Sequence, residues 1–364
     1  MDAEFARSPE VQDWQWRIAA TMRRGIESSF GTRPDEIDCV RAIVEAVGAA
    51  PAVAGRLRLR DSFKLEVESA FLHGPRSQVR FRIGGTEHQR ELADLLVLAT
   101  YVEDGTLAFQ RACFIQAKRS GASSRSAARF SIDPWQLALL GSFPEFTGFA
   151  GEFKGLTLEL RNRSGMLGAY GLLSPPGEFT VVSARVVNHV LGGRQSLTTK
   201  ELIPAILSET GAMRSAVASR GEYWWFDPEH CPYCRELAMH DFPHHWLRHH
   251  ASHASRHTAA LDTPVESVLT CVGLDEFVQS WSGLRLGEVW HARNPTSSDR
   301  ALRRCLQRVV RRIAQATGAL SRVDGLLAEG RGDHNLSLEI DGGDREPSGL
   351  GVLSMVRTVS RGQG

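Results

Sequence analysis

The sequence predicts an α/β protein, and three observations predict it. Apolar residues recur at helical spacing through residues 1–60. Two almost continuous apolar runs, Leu92–Val102 and Leu107–Lys118, then follow on either side of a turn signal. A capped helix start comes next, at Asp133-Pro134. The expected core order is helix, three antiparallel hairpin strands, helix and a further strand. A helical part precedes this core and a Cys/His-rich accessory segment follows it.

The first helix carries Trp14, Ile18, Met22 and Ile26 on one stripe, and the second carries Ile37, Val40, Ile43, Val44 and Val47. Pro34, Asp35 and Glu36 form a helix start, and Gly48 a stop. A third helix is expected after Asp61 or Ser62, with the stripe Phe63, Val67, Ala70 and Phe71, ended by Gly74-Pro75. Val79–Ile83 alternates apolar and basic residues as a half-exposed strand does. The two long apolar runs read as strands buried on both faces, turned by Asp104-Gly105. Further strands are expected at Leu156–Leu160, Phe179–Val187 and near Gly351–Arg357. Helices are expected near 199–208 and over 297–317, and the rest of the last thirty residues reads as a mobile tail. Composition divides the chain at 1–60, 61–220, 221–290 and 291–364.

Composition narrows the function. The chain has 364 residues, 42% hydrophobic and 23% charged, so it can bury a core without disulfides or metal. Lys and Arg number 43 against 42 Asp and Glu, so any contact with nucleic acid must come from a local patch. No uncharged apolar run is long enough to span a membrane, and the N-terminus lacks the pattern of a secretory signal. Six Cys over this length form no disulfide framework. The expected compartment is the cytoplasm, with no membrane partner.

Polar groups interrupt the two buried strands. Asp94 lies inside LADLLVL, and Gln116 and Lys118 lie two residues apart at the end of the next strand, on one face. An unpaired buried charge costs several kcal/mol, so one shared site is the economical explanation. The site has a geometric condition: Asp94 must stand opposite Gln116. A plain two-residue loop at Asp104-Gly105 would pair Asp94 with Ile115 and turn it to the wrong face. A three-residue turn, Asp104-Gly105-Thr106, or one β-bulge restores the pairing. The Asp94 carboxylate, the Gln116 side-chain carbonyl and the Ala117 backbone carbonyl are hard oxygen donors suited to Mg²⁺. Lys118 could orient a water or neutralise charge on a phosphorane. Glu68, on the preceding helix, is the best placed auxiliary acid, ahead of Glu66 and Glu91.

The arrangement resembles the PD-(D/E)XK nuclease superfamily, the restriction-endonuclease-like fold. The matching pieces are Glu68, Asp94 in ELADLL, Gln116-Ala117-Lys118 in FIQAK, and the helix at Pro134, which together cover about residues 61–142. Gln116 replaces the commoner acid, and ELADLL lacks the family's Pro before Asp. Gln136 matches a Gln that some members carry in the next helix, while Leu140 stands where their Tyr would fall. The resemblance implies a Mg²⁺- or Mn²⁺-dependent endonuclease that acts on DNA. It would use Asp94, Gln116 and Ala117 for metal, Lys118 for the water and Glu68 as auxiliary acid. It also implies a homodimer that cuts both strands, and a role in defence against phage or foreign DNA, with a partner protein of such a system. The alternative is an inactive nuclease-fold module binding nucleic acid or a partner protein, its Asp94 and Lys118 paired with each other.

Two further segments carry candidate chemistry. Cys231 and Cys234, followed by His249 and His253, have C-x2-C-x14-H-x3-H spacing, which can close a tetrahedral Zn²⁺ site of structural role. His240, His244, His245 and His257 could substitute. CPYC is also the glutaredoxin redox motif, so thiol chemistry and a metal-free His/Cys surface stay open beside zinc. The 297–317 helix buries Leu302, Leu306, Val309, Val310 and Ile313. Arg303, Arg304, Arg308, Arg311 and Arg312 fill its other faces, which fits either a polyanion such as DNA or a solvated and internally paired face.

Overall fold

The computed structural model describes residues 2–30, 35–57, 61–73, 77–120, 128–150, 153–162, 165–198, 201–202, 270–292, 295–328 and 349–361. The Cys231, Cys234, His249 and His253 set, its substitutes and most of the helix expected near 199–208 lie outside these residues.

Three helices open the chain: α1 (Asp2–Arg7), α2 (Pro9–Phe30) and α3 (Glu36–Gly48). Trp14, Ile18, Met22 and Ile26 of α2 are buried, as is the whole expected stripe of α3. Asp35 caps α3, its side chain accepting the Asp38 N–H. The strands β1 (Val53–Arg56) and β2 (Ser62–His73) follow, so residues 62–73 form a strand where helical spacing predicts a helix. Phe63, Val67, Ala70 and Phe71 fit a helical stripe by coincidence. What decides is a partner far along the chain, β15 (Gly349–Ser360), which pairs with β2 from end to end, Ser62 opposite Ser360 and His73 opposite Gly349.

Next come β3 (Gln78–Ile83), β4 (Thr86–Glu91), β5 (Leu95–Glu103), β6 (Thr106–Arg119), β7 (Arg129–Ser131) and α4 (Pro134–Ser142). The start of α4 is as expected, with Asp133 as cap and Pro134 in the first turn. β3 pairs with β4 and β8 (Phe146–Gly148), and β9 (Thr157–Leu158) completes this small four-stranded sheet. The three strands expected to form one hairpin sheet are therefore split, with β3 outside the sheet that holds β5 and β6. After β10 (Gly168–Ser174) and β11 (Glu178–Ser183) comes α5 (Ala184–Leu191), so the strand expected over Phe179–Val187 stops halfway. Ser183 ends it by capping α5, its hydroxyl accepting the Arg185 N–H.

The remaining described elements are β12 (Ser196–Thr198), β13 (Thr270–Cys271), α6 (Gly273–Ser282), β14 (Glu288–His291), α7 (Ser297–Thr317), α8 (Ser321–Ala328) and β15. The boundaries of α7 are those the sequence predicts, set by a capping box between Thr296 and Asp299. The main sheet runs β1-β2-β15-β5-β6-β10-β11-β13, with β14 also on β6. It therefore takes strands from every division that composition suggests. β15 sits parallel to β5 and antiparallel to β2. One face of the sheet is covered by α1, α2, α3 and α6, and the other by α4, α5, α7, α8 and the small sheet. No described helix is long and apolar enough to cross a membrane.

Candidate active site

Asp94 is the last residue before β5. Its backbone is held on both sides: its N–H donates to the Ile115 carbonyl (3.1 Å) and its carbonyl accepts from Gly351 of β15 (2.8 Å). The geometric condition set by the sequence is met. β5 and β6 turn through Asp104-Gly105, both at positive φ, with Glu103 opposite Thr106. A bulge between Tyr101 and Val102 then shifts the register, so that Leu95 stands opposite Ile115. The next position outward brings Asp94 to Gln116, on one face. Of the two expected devices, the bulge is the one realised.

The contacts follow from that register. Gln116 Nε2 donates to Asp94 Oδ2, and the Ala117 N–H donates to the same oxygen at 2.8 Å. Gln136, on the first turns of α4, donates from Nε2 to Gln116 Oε1 and to the Glu91 carbonyl (3.2 Å). Asp94, Gln116 and Gln136 are 2%, 3% and 6% exposed, so the network is dry. β5 begins only at Leu95, which leaves the Ala117 N–H to a side chain. The N–H and C=O of a strand residue face the same neighbour, so the Ala117 carbonyl faces that gap as well.

Lys118 follows Gln116 on the same face by alternation. Its Nζ lies 3.7 Å from Glu36 Oε2, with the lysine side chain 18% exposed. Glu36 also accepts the Arg119 N–H at 3.1 Å. Glu91, at the end of β4, is near enough to Lys118 and Asp94 to act on both electrostatically. The site thus gathers Asp94, Gln116, Lys118, Gln136, Glu91 and Glu36 where β4, β5, β6, α3 and α4 meet.

Glu68 is not among them. It lies on β2, opposite Ser354 of β15, which in turn stands opposite Leu98 of β5. Burial there raises its carboxyl, while the backbone N–H groups of Arg322 and Val323 at the start of α8 pull it down. The expectation failed because it rested on a helix over 62–73; as a strand, the segment is kept from β5 by β15. Glu36 takes the place expected of Glu68. In the sequence it reads only as part of a helix start, and the residues that bring it to Lys118 are eighty positions away.

Burial is the largest influence on Asp94 and raises its carboxyl well above 3.8; Glu91 adds to this and Lys118 opposes it. An acid raised in the folded state binds its proton more tightly there than in the unfolded chain. Its favourable contribution is full below pH 3.8 and is lost as pH rises through the folded value. Asp94→Asn removes this dependence. Its unfolding midpoint at about pH 7 is expected to exceed that of the wild type, with the gap closing as pH falls toward about 4. Thermal unfolding of both proteins across that range checks it, and a lower midpoint for Asp94→Asn at about pH 7 would oppose it.

The five arginines expected to fill the other faces of α7 divide into two groups. Arg303 donates to the Leu327 carbonyl (3.2 Å) and lies over Trp290, Arg311 pairs with Asp324 (3.6 Å), and Arg312 donates to the Lys154 carbonyl (3.0 Å). Arg304 and Arg308 are exposed, one turn apart. α7 packs on α8, β14 and β2, and β14 joins β6 at Phe109–Ala112, not at its Gln116–Lys118 end. The four described cysteines, Cys39, Cys113, Cys271 and Cys305, are free and buried. Burial pushes Cys39 to about 11 and Cys271 and Cys305 to about 12, which disfavours thiolate chemistry at these positions.

Among the described residues, no group of three His, Cys, Asp or Glu side chains is arranged to hold a metal ion. The donors at Asp94 are of another kind: one carboxylate, one amide and one backbone carbonyl. They fit a hard divalent cation on one condition, that the Gln116 amide turn to present Oε1 in place of Nε2. Comparison with family models, curated proteins and solved structures returns no match to this chain.

Proposed function

We propose that the protein is a metal-dependent endonuclease of restriction-endonuclease-like architecture that hydrolyses phosphodiester bonds of DNA. One observation carries the reading. A bulge in the β5–β6 hairpin sets Asp94 opposite Gln116, with Lys118 at the mouth of the same buried edge. A hydrophobic sheet has no packing reason to hold these polar groups together.

Asp94, the turned Gln116 and the Ala117 carbonyl would hold a divalent cation such as Mg²⁺. When bound, such an ion polarises a phosphoryl oxygen and acidifies an attacking water. The chain's own groups do the rest. Lys118, steadied by Glu36, offers a positive charge to the water or to the oxygen that gains charge in the transition state. Gln136 fixes the Gln116 side chain from behind in the resting arrangement, a bond given up when the amide turns, and the dry surroundings strengthen the charge interactions of the site. The exposed Arg304 and Arg308 would meet DNA phosphates. Replacing both with Glu is expected to weaken DNA binding and to reduce the slope of log affinity against log salt by about two. Fluorescence anisotropy over a salt series measures this, and an unchanged slope would remove these residues from the interface.

The competing reading is an inactive binding module, and one observation favours it: Asp94 is already satisfied by Gln116 and Ala117. Its expected Asp94–Lys118 pair is not the arrangement found, since the ion pair of Lys118 is with Glu36. Supercoiled plasmid incubated with Mg²⁺ or Mn²⁺ separates the two. Nicking by the wild type that is lost in Asp94→Asn supports the nuclease. DNA binding without cutting by either protein supports the module.

A further inference from the structure

Tyr170 stands on β10 beside Gln116, its partner in the parallel β6–β10 register, with its side chain wholly buried. Its hydroxyl has no hydrogen-bond partner among the described residues. A buried hydroxyl left unsatisfied is a net cost to folding, and Phe would fill the same space without that cost. The charged groups that act on the hydroxyl are Asp133, the cap of α4, and Asp94, so the ring reaches toward the site. Burial and these two acids hold the phenol above its ordinary value, so it remains protonated at working pH.

The neighbouring hydrogen bonds give this hydroxyl a task. Gln116 now donates from Nε2 to Asp94 and accepts at Oε1 from Gln136. Serving as an oxygen ligand requires the amide to turn over, because its nitrogen is only a donor. That turn takes a donor away from Asp94 and leaves the Gln116 Nε2–H without its acceptor; it also ends the bond from Gln136, whose Nε2 keeps the Glu91 carbonyl as its acceptor. A single hydroxyl is both donor and acceptor, and Tyr170 carries an unsatisfied one beside Gln116 and within electrostatic reach of Asp94. We infer that Tyr170 is a positioning residue for the metal-loaded site: with Gln116 turned, its hydroxyl accepts from Gln116 Nε2 and donates to Asp94. The inference rests on the metal-dependent reading above and says how that site changes from its resting arrangement.

The test compares the full-length wild type, Tyr170→Phe and Asp94→Asn. Thermal unfolding is followed without metal and over a Mn²⁺ titration, and plasmid nicking is measured at low and saturating Mn²⁺. For Tyr170→Phe, the metal-free midpoint is expected to stay level or rise. The Mn²⁺ concentration for half-maximal stabilisation should increase roughly ten- to a hundredfold. Nicking should be lost at low Mn²⁺ and recovered at high, a split that a packing role would not produce. A wild-type Mn²⁺ midpoint in Tyr170→Phe, with or without a lower metal-free midpoint, overturns the inference while leaving the nuclease reading intact. A wild type with no saturable Mn²⁺ stabilisation, or one that Asp94→Asn retains in full, overturns the metal site and the inference together.

Discussion

Lys118→Ala is expected to reduce metal-dependent plasmid nicking by about a hundredfold or more, the usual loss when one preorganised charge at a reacting oxygen is removed. Its fold should survive. The lysine side chain lies at the rim of the site, and its ion pair with Glu36 is partly exposed, so its contribution to stability is small. Glu36→Gln keeps the size of the side chain and removes only the charge that steadies Lys118. Its expected loss is smaller, about tenfold, as for a group that acts through a neighbour. Initial nicking rates beside thermal midpoints measure both variants. Equal rates for Lys118→Ala and wild type would remove Lys118 from the chemistry. A larger loss in Glu36→Gln than in Lys118→Ala would make Glu36 the more direct participant.

Ending the chain at Ser348 is expected to abolish folding. The deleted strand, β15, lies between β2 and β5 and pairs with both. It buries Leu350, Val352 and Val356 on one face of the sheet and Leu353, Met355 and Val359 on the other. At roughly 1.5–3 kcal/mol per buried aliphatic side chain, the loss is about 9–18 kcal/mol, as large as the whole stability of a typical domain or larger. The site would be lost with it, because the Gly351 N–H holds the Asp94 carbonyl. Far-UV circular dichroism and a thermal melt of the 1–348 chain decide this; a cooperative transition with native strand content would refute it. A milder version, Met355→Ala, is expected to cost about 2–5 kcal/mol.

This strand also marks the limit of what could be read in advance. Gly351–Arg357 is visible as a strand in an otherwise unpatterned tail, but nothing nearby in sequence says that it enters the centre of the sheet. The same missing partner explains the helix wrongly expected over 62–73, whose apolar spacing fits a helix until β15 is laid beside it. Glu68 was misplaced for that reason. Tyr170 gave no signal, because no strand was expected over the run GAYGLL and its unsatisfied hydroxyl exists only in three dimensions. Gln136 matched a feature of the resembling superfamily, and its bond to Gln116 gives that position a physical role.

Elements whose causes are local could be read from the residues alone. α3, α4 and α7 start at their capping residues, and the β5–β6 hairpin turns at Asp104-Gly105. The need to bring Asp94 opposite Gln116 was enough to require a turn residue or a bulge. Caps, turns and helical stripes act within about four residues, so a linear reading captures them. The tertiary structure alone decided that β15 divides β2 from β5, that β3 leaves the main sheet, and that Glu36 rather than Glu68 meets Lys118. Strand pairing and the approach of one charge to another depend on partners far apart in the chain, and no local period encodes which partner that is.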